Sequence, residues 1–87
     1  MMDSAEIWAI NYAEVSPAFV AARAGYDVWL GNSRGNIFSN SHINLDKNSA
    51  LYWDFDWQEM GEYDLPATVD YITQTTGYEK IAYIGYS

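Results

Sequence analysis

Two helix patterns in this sequence are each followed by a glycine and then a short apolar run, and this alternation limits the folds open to the chain. Ser16 and Pro17 predict the start of a helix, with Ser16 capping the free amides. Gly25 is typical of the position just after a helix end. An apolar strand is predicted directly afterwards, over residues 26–30.

The second half of the sequence repeats this order. A helix is predicted from Asp56 to about residue 63, and another restarts with Asp64 as its cap and Pro66 in its first turn. Gly77 ends that helix, and Ile81–Ile84 form the next predicted strand. Because both strands are almost continuously apolar, the pattern predicts the α/β class, with helices covering a parallel sheet. Residues 33–50 are rich in Asn and Ser and predict a long surface loop.

The composition is typical of a segment that contributes to a larger hydrophobic core. The chain has 87 residues and no cysteine, yet 49% of its residues are hydrophobic and 17% are aromatic. A chain of this length buries only about two-thirds of its unfolded surface. The alternative is a small, compact, aromatic-rich domain, which the size limits on small cores disfavour.

The charge pattern argues against several partner classes. The net charge is -8, and the four basic residues are scattered along the chain: Arg23, Arg34, Lys47 and Lys80. Binding to nucleic acid or to an anionic membrane surface requires clustered Lys and Arg, so neither is expected. The first residues lack the basic and apolar regions of a signal peptide, and no apolar run is long enough to span a membrane.

The sequence Gly85-Tyr86-Ser87 follows the apolar run Ile81–Ile84 directly. This is the first half of a G-x-S-x-G nucleophile elbow, in which a strained turn lifts the serine hydroxyl above a sheet. A Cβ at Gly85 would crowd such a turn. Ser87 is therefore the candidate catalytic nucleophile.

Three other groups of residues admit two interpretations each. Residues 32–35 could bind an anion or form a turn held by Arg34, and the spacing of a phosphate loop is absent. Asp54, Asp56, Glu59 and Glu62 could bind a metal or form a solvated helix start; no histidine or ligand loop accompanies them, so no metal or other cofactor is expected. Trp53, Phe55 and Trp57 could line an acyl pocket or pack a helix against the sheet.

Several blocks of the sequence, in order, resemble the acid lipases, the gastric-lipase, lysosomal-acid-lipase and steryl-ester-hydrolase group of α/β-hydrolases. The matching blocks are Asp3-Ser4, Trp8, Pro17-Ala18-Phe19, residues 24–36 (A-G-Y-D-V-W-L-G-N-S-R-G-N), Trp53-Asp54-Phe55, Glu59-Met60, residues 62–67 (E-Y-D-L-P-A), Gly77, Lys80, Tyr83 and Gly85-Tyr86-Ser87. Tyr86 departs from the family, which usually has His there. The resemblance identifies residues 1–87 as part of an acid lipase domain, from just after the oxyanion loop to the nucleophile elbow.

The resemblance implies a partial α/β-hydrolase fold with the order helix, strand, loop, helix, strand. The two predicted strands would be the fourth and fifth of the fold, with the central third strand missing between them. They would then stand about 9–10 Å apart, twice the usual strand spacing.

The resemblance also implies hydrolysis of lipid esters, acylglycerols or sterol esters, through an acyl-enzyme on Ser87. The general base of the family is a His oriented by an Asp, and both follow the serine in chain order. His42 precedes Ser87 and is expected to serve loop hydrogen bonding or to face solvent. By the register of the family, Met1 takes the position of one oxyanion-hole donor, and the other donor is the amide after Ser87.

The resemblance places the whole protein in a secreted or lysosome-like compartment, in contact with a membrane or lipid-droplet surface. The sequence pI of about 4.1 agrees with an acidic compartment. A second function class stays open, that of a non-catalytic lipase-like remnant or interaction module.

The 87-residue polypeptide by itself is expected to be inactive, because it holds neither the base nor the acid of the triad. Loss of a single oxyanion donor costs on the order of 10²–10³ in rate, and both donors are compromised here. The measurement is hydrolysis of a short-chain chromogenic ester by the purified polypeptide at pH 5 to 7. Turnover above buffer that disappears in Ser87→Ala would contradict this expectation.

Overall fold

The computed structural model describes residues 3–87, which form two compact units. The first unit extends to Asp54 and the second covers Phe55–Ser87. Among the described residues, the regular elements are helical and no strand occurs.

The first unit contains three short helices. A 3-10 helix spans Ala5–Trp8, the α-helix α1 spans Pro17–Arg23, and a second 3-10 helix spans Ala50–Trp53. Residues 24–49, between α1 and the second 3-10 helix, form turns and irregular backbone, which confirms the predicted loop over residues 33–50 except at Ala50, where that helix begins.

The end of α1 has the geometry that Gly25 predicts. Gly25 has a φ of +96°, and its amide donates to the carbonyl of Ala22 at 3.1 Å. The Tyr26 amide reaches back to the carbonyl of Ala21 at 3.2 Å, which completes a Schellman motif. Only a residue without a Cβ adopts this left-handed conformation at little cost.

The start of α1 differs from the prediction in the role of Ser16 Oγ. Ser16 does precede Pro17 as the helix N-cap, but its side chain makes no capping hydrogen bond. Ser16 is fully buried, and its Oγ has no hydrogen-bond partner in the described structure. The backbone of Ser16 makes the local bonds instead, donating to the carbonyl of Tyr12 at 2.9 Å and accepting from the amide of Val20. The predicted side-chain cap is therefore wrong.

The second unit is a run of helix in three parts. The short helix α2 spans Trp57–Glu59, a π-helical segment spans Met60–Asp64, and α3 spans Leu65–Thr76. Asp56 begins the run with a capping box: its carboxylate accepts from the amide of Gln58 at 2.7 Å, and Glu59 accepts from the amide of Asp56 at 2.8 Å. The acidic residues at this helix start are thus structural, as predicted.

The predicted restart at Asp64 is wrong. Asp64 has helical backbone angles of -68° and -48°, and its side chain makes no capping bond. Pro66 lies in the first turn of α3, where its ring would clash with the carbonyl four residues earlier in a regular helix. The helix widens there, and the Leu65 amide bonds to the carbonyl of Met60, five residues back. The π-helical turn lets the helix pass the proline without a break.

The helix α3 ends as predicted, and its apolar residues at positions 65, 69 and 72 are only partly buried. Gly77 has a φ of +78°, and its amide donates to the carbonyl of Thr73 at 2.9 Å. Ile72 is buried and Val69 is half-buried, whereas Leu65 is exposed.

The predicted strands at residues 26–30 and 81–84 are not formed. A strand, unlike a helix, requires hydrogen bonds from a neighbouring strand, and neither segment has such a neighbour among residues 3–87. At the first segment, Trp29 Nε1 donates to Asp27 Oδ2 at 3.0 Å. At the second segment, Tyr83 and Ile84 are 68% and 73% exposed.

Replacing Asp56 with Ala should lower the free energy of unfolding of the protein that carries this sequence by about 0.5–2 kcal/mol, because one half of the capping box is lost. Chemical denaturation of the variant measures this. Asp54→Ala removes the same charge two residues earlier, from an exposed residue at the end of the second 3-10 helix, and is the matched control. Equal losses in the two variants would contradict the capping role.

Replacing Ser16 with Ala should leave stability unchanged or raise it, because a buried hydroxyl without a partner costs desolvation. The control is Ser49→Ala. Ser49 Oγ accepts from the amide of Tyr52 at 3.4 Å and donates to the carbonyl of Asp46 at 2.6 Å, so its loss should cost about 1 kcal/mol. Thermal or urea unfolding compares the two. A loss in Ser16→Ala as large as that in Ser49→Ala would show that Ser16 Oγ is hydrogen-bonded in the protein.

Candidate active site

Ser87 is the candidate nucleophile, and its backbone is unusual. Its φ is +55°, and among residues 3–87 it is the single non-glycine residue with a positive φ.

Gly85 is packed closely against its own chain. A Cβ at Gly85 would lie 3.2 Å from Cε1 and 3.4 Å from the hydroxyl of Tyr83. The first distance is tighter than most Cβ contacts and the second is an ordinary van der Waals contact, so the exposed Tyr83 ring would have to shift by a few tenths of an ångström. The structure therefore gives a specific neighbour for the crowding expected at this glycine.

His42 serves as an acceptor within its own loop. Its Nδ1 accepts from the amides of Asn44 and Leu45, at 2.9 and 3.0 Å. The side chain is exposed, and its ring contacts that of Tyr52 edge to face at 6.4 Å between centroids. The prediction of loop hydrogen bonding and solvent exposure is confirmed.

Tyr52 and Trp53 make side-chain hydrogen bonds to the backbone of the long loop at residues 33–50. Tyr52 is buried, and its hydroxyl donates to the carbonyl of Ser39 at 3.5 Å. Its ring meets that of Trp53 edge to face at 4.8 Å. Trp53 Nε1 donates to the carbonyl of Lys47 at 2.7 Å. These contacts give Trp53 a structural role in the first unit.

Four backbone amides between Gly35 and Ser39 are engaged in hydrogen bonds within the turn that follows Gly31. The Gly35 amide donates to the carbonyl of Ser39 at 2.7 Å, and the Asn36 amide donates to that of Ser33 at 3.3 Å. The amides of Phe38 and Ser39 bond to the side chain and the carbonyl of Asn36. Because these amides are engaged within the loop, they are not available to an anion.

The side chain of Asn32 connects this turn to the start of the chain. Its Oδ1 accepts from the amide of Ala5 at 2.9 Å and from Nδ2 of Asn36 at 2.8 Å. Sequence patterns place Asn32 in a turn but give no sign of a bond to a residue 27 positions away. Met1, the predicted oxyanion position, lies outside the described residues.

Within residues 3–87, no three His, Cys, Asp or Glu side chains are grouped to hold a metal ion. No described helix is both long and apolar enough to cross a membrane.

Comparison with known proteins supports the resemblance seen in the residues. A sequence profile of the alpha/beta hydrolase fold matches residues 3–87. The chain is 51% identical to gastric triacylglycerol lipase of Mus musculus and 47% identical to lipase member K of Homo sapiens, in each case over all 87 residues and 22% of the relative. It is 44% identical to lipase 1 of Drosophila melanogaster over the whole chain and 20% of that protein.

The chain thus spans about a fifth of the length of the curated relatives it matches. The profile match covers far more than half of the chain, and the matching relatives are lipases by name. This chain belongs to the alpha/beta hydrolase fold family.

Proposed function

We propose that the protein is a lipid ester hydrolase, with acylglycerols or sterol esters as substrates and Ser87 as its nucleophile. The observation that carries the proposal is the match of the alpha/beta hydrolase fold profile to residues 3–87, which include the sequence Gly85-Tyr86-Ser87. The relatives add support, because those compared above are named lipases and one is named a triacylglycerol lipase.

The proposed reaction begins with attack of Ser87 Oγ on the ester carbonyl carbon, while a histidine takes the hydroxyl proton. The tetrahedral intermediate carries its negative charge on the former carbonyl oxygen. Two amides would stabilise that oxygen: the one after the nucleophile and the one at the Met1 position. The histidine then protonates the leaving alcohol, and water hydrolyses the acyl-enzyme. The histidine and its acidic partner follow Ser87 in the chain order of this fold.

For the fold of the whole protein, we propose that residues 26–30 and 81–84 are two strands of a parallel sheet with the third strand between them. Their nearly continuous apolar side chains, typical of strands in a parallel sheet, support this proposal. The separation of about 9–10 Å stays the prediction that follows from this arrangement. Residues 1–87 would then form one part of a hydrolase domain.

We also propose a secreted or lysosome-like location, with lipid substrate met at a membrane or lipid-droplet surface. The resemblance to acid lipases and the acidic pI of about 4.1 support the location. The alternative of a non-catalytic lipase-like module has no specific observation in its favour.

Replacing Ser87 with Ala in the full-length protein should reduce kcat on short-chain esters and on trioleoylglycerol by on the order of 10⁶-fold, because the acyl-enzyme can no longer form. The measurement is steady-state hydrolysis, together with covalent labelling by a fluorophosphonate probe, which should also disappear.

His42→Ala is the control for this test. Its ring bonds only to loop amides in the described structure, so the variant should keep its activity and its labelling. Turnover that persists in Ser87→Ala would overturn the proposed function. Loss of labelling in His42→Ala would indicate that His42, rather than a histidine after Ser87, is the base.

A further inference from the structure

Three local bends of the long loop at residues 33–50 are each held by a side chain that accepts hydrogen bonds from backbone amides further along the chain. The acceptors and their amides are Asn36 Oδ1 with Phe38 at 2.9 Å, His42 Nδ1 with Asn44 and Leu45 at 2.9 and 3.0 Å, and Asp46 Oδ1 with Asn48 at 2.9 Å. The three accepting groups differ in chemistry, because the first is an uncharged amide, the second an imidazole and the third a carboxylate. They therefore respond differently to pH.

The bonds at His42 require one protonation state of its ring. A backbone amide can only donate, so Nδ1 must present its lone pair to both amides, which assigns the proton of the neutral imidazole to Nε2. In the imidazolium both ring nitrogens carry a proton, and Nδ1 would face the two N–H groups without a lone pair. Protonation of His42 therefore removes both hydrogen bonds of this bend together.

The surroundings of His42 leave its ring open to protons from solvent. The side chain is exposed, and the element packed against it is the second 3-10 helix, whose Tyr52 ring meets the imidazole edge to face at 6.4 Å. The Tyr52 hydroxyl donates to the carbonyl of Ser39 rather than to the imidazole. The other titratable or charged side chains between the bend and the end of this helix are Asp46, Lys47 and Asp54. In the described structure, the contacts of the ring are those with the two amides and with Tyr52.

We propose that residues 42–45 form a pH-sensitive bend, which is closed when His42 is neutral and opens when its imidazole is protonated. The open bend binds one proton more than the closed one, so closure is favoured as the pH rises and is lost as the pH falls. Imidazole ordinarily changes charge between about pH 5 and 8, whereas carboxylic acids and phenols do so near about pH 4 and pH 10.

The neighbouring bends are expected to stay closed over the same interval. The Asn36 side chain does not titrate, and a carboxylate such as that of Asp46 stays ionised well above about pH 4. A protein that passes from neutral into acidic surroundings would thus release residues 42–45 while the rest of the loop keeps its side-chain bonds. This inference does not depend on the proposed function.

The test is amide hydrogen exchange of the full-length protein on the millisecond-to-second scale, compared at about pH 7.5 and about pH 5 after correction for the intrinsic exchange rate. Protection of the Asn44 and Leu45 amides should fall toward that of a free amide in acid, by up to about 30-fold for a free imidazole that titrates near pH 6.5. Protection of the Phe38 and Asn48 amides should change by less than about twofold, because their acceptors keep their charge.

His42→Asn is the matched control, because the Asn side chain offers an accepting oxygen close to the position of Nδ1 and does not titrate. It should keep the Asn44 and Leu45 amides protected at both pH values, whereas His42→Ala should expose them at both. Equal protection of these amides at the two pH values in the wild-type protein, or an equal loss in His42→Asn, would overturn the inference. A parallel loss at Phe38 and Asn48 would also overturn it, since the whole loop would then open in acid. Because the first comparison uses the wild-type protein, it decides the question even if a variant does not fold.

Discussion

The described structure depends on one constraint, which is that backbone amides and carbonyls find hydrogen-bond partners close by in the sequence. Helix α1 ends by donating to its own carbonyls through Gly25 and Tyr26, and α3 ends through Gly77. An extended segment cannot form such hydrogen bonds within itself, because its amides point sideways toward a neighbouring strand. Residues 26–30 and 81–84 lack that neighbour within residues 3–87, and large apolar side chains on them stay exposed. The helices are locally determined, whereas a sheet depends on strands distant in sequence.

The same distinction explains which fold predictions succeeded. Gly25 and Gly77 were predictable because a left-handed helix end is a property of one residue. The break predicted before Pro66 failed because the rule for proline assumes hydrogen bonds to the fourth preceding carbonyl. The helix uses the fifth instead, from Leu65 to Met60, and nothing in the local sequence distinguishes these two registers. The burial of Ser16 Oγ depends on surrounding packing and is equally invisible in a local pattern.

Within the candidate site, a motif and a family resemblance predict Ser87 as the nucleophile, and this stays a prediction. Chain order also predicts that His42 is not the catalytic base, and its Nδ1 accepts from the amides of Asn44 and Leu45 in the structure. Asn32 was predictable only as a turn residue. Its bond to Ala5 crosses 27 positions and repeats with no period, so no spacing rule could reveal it.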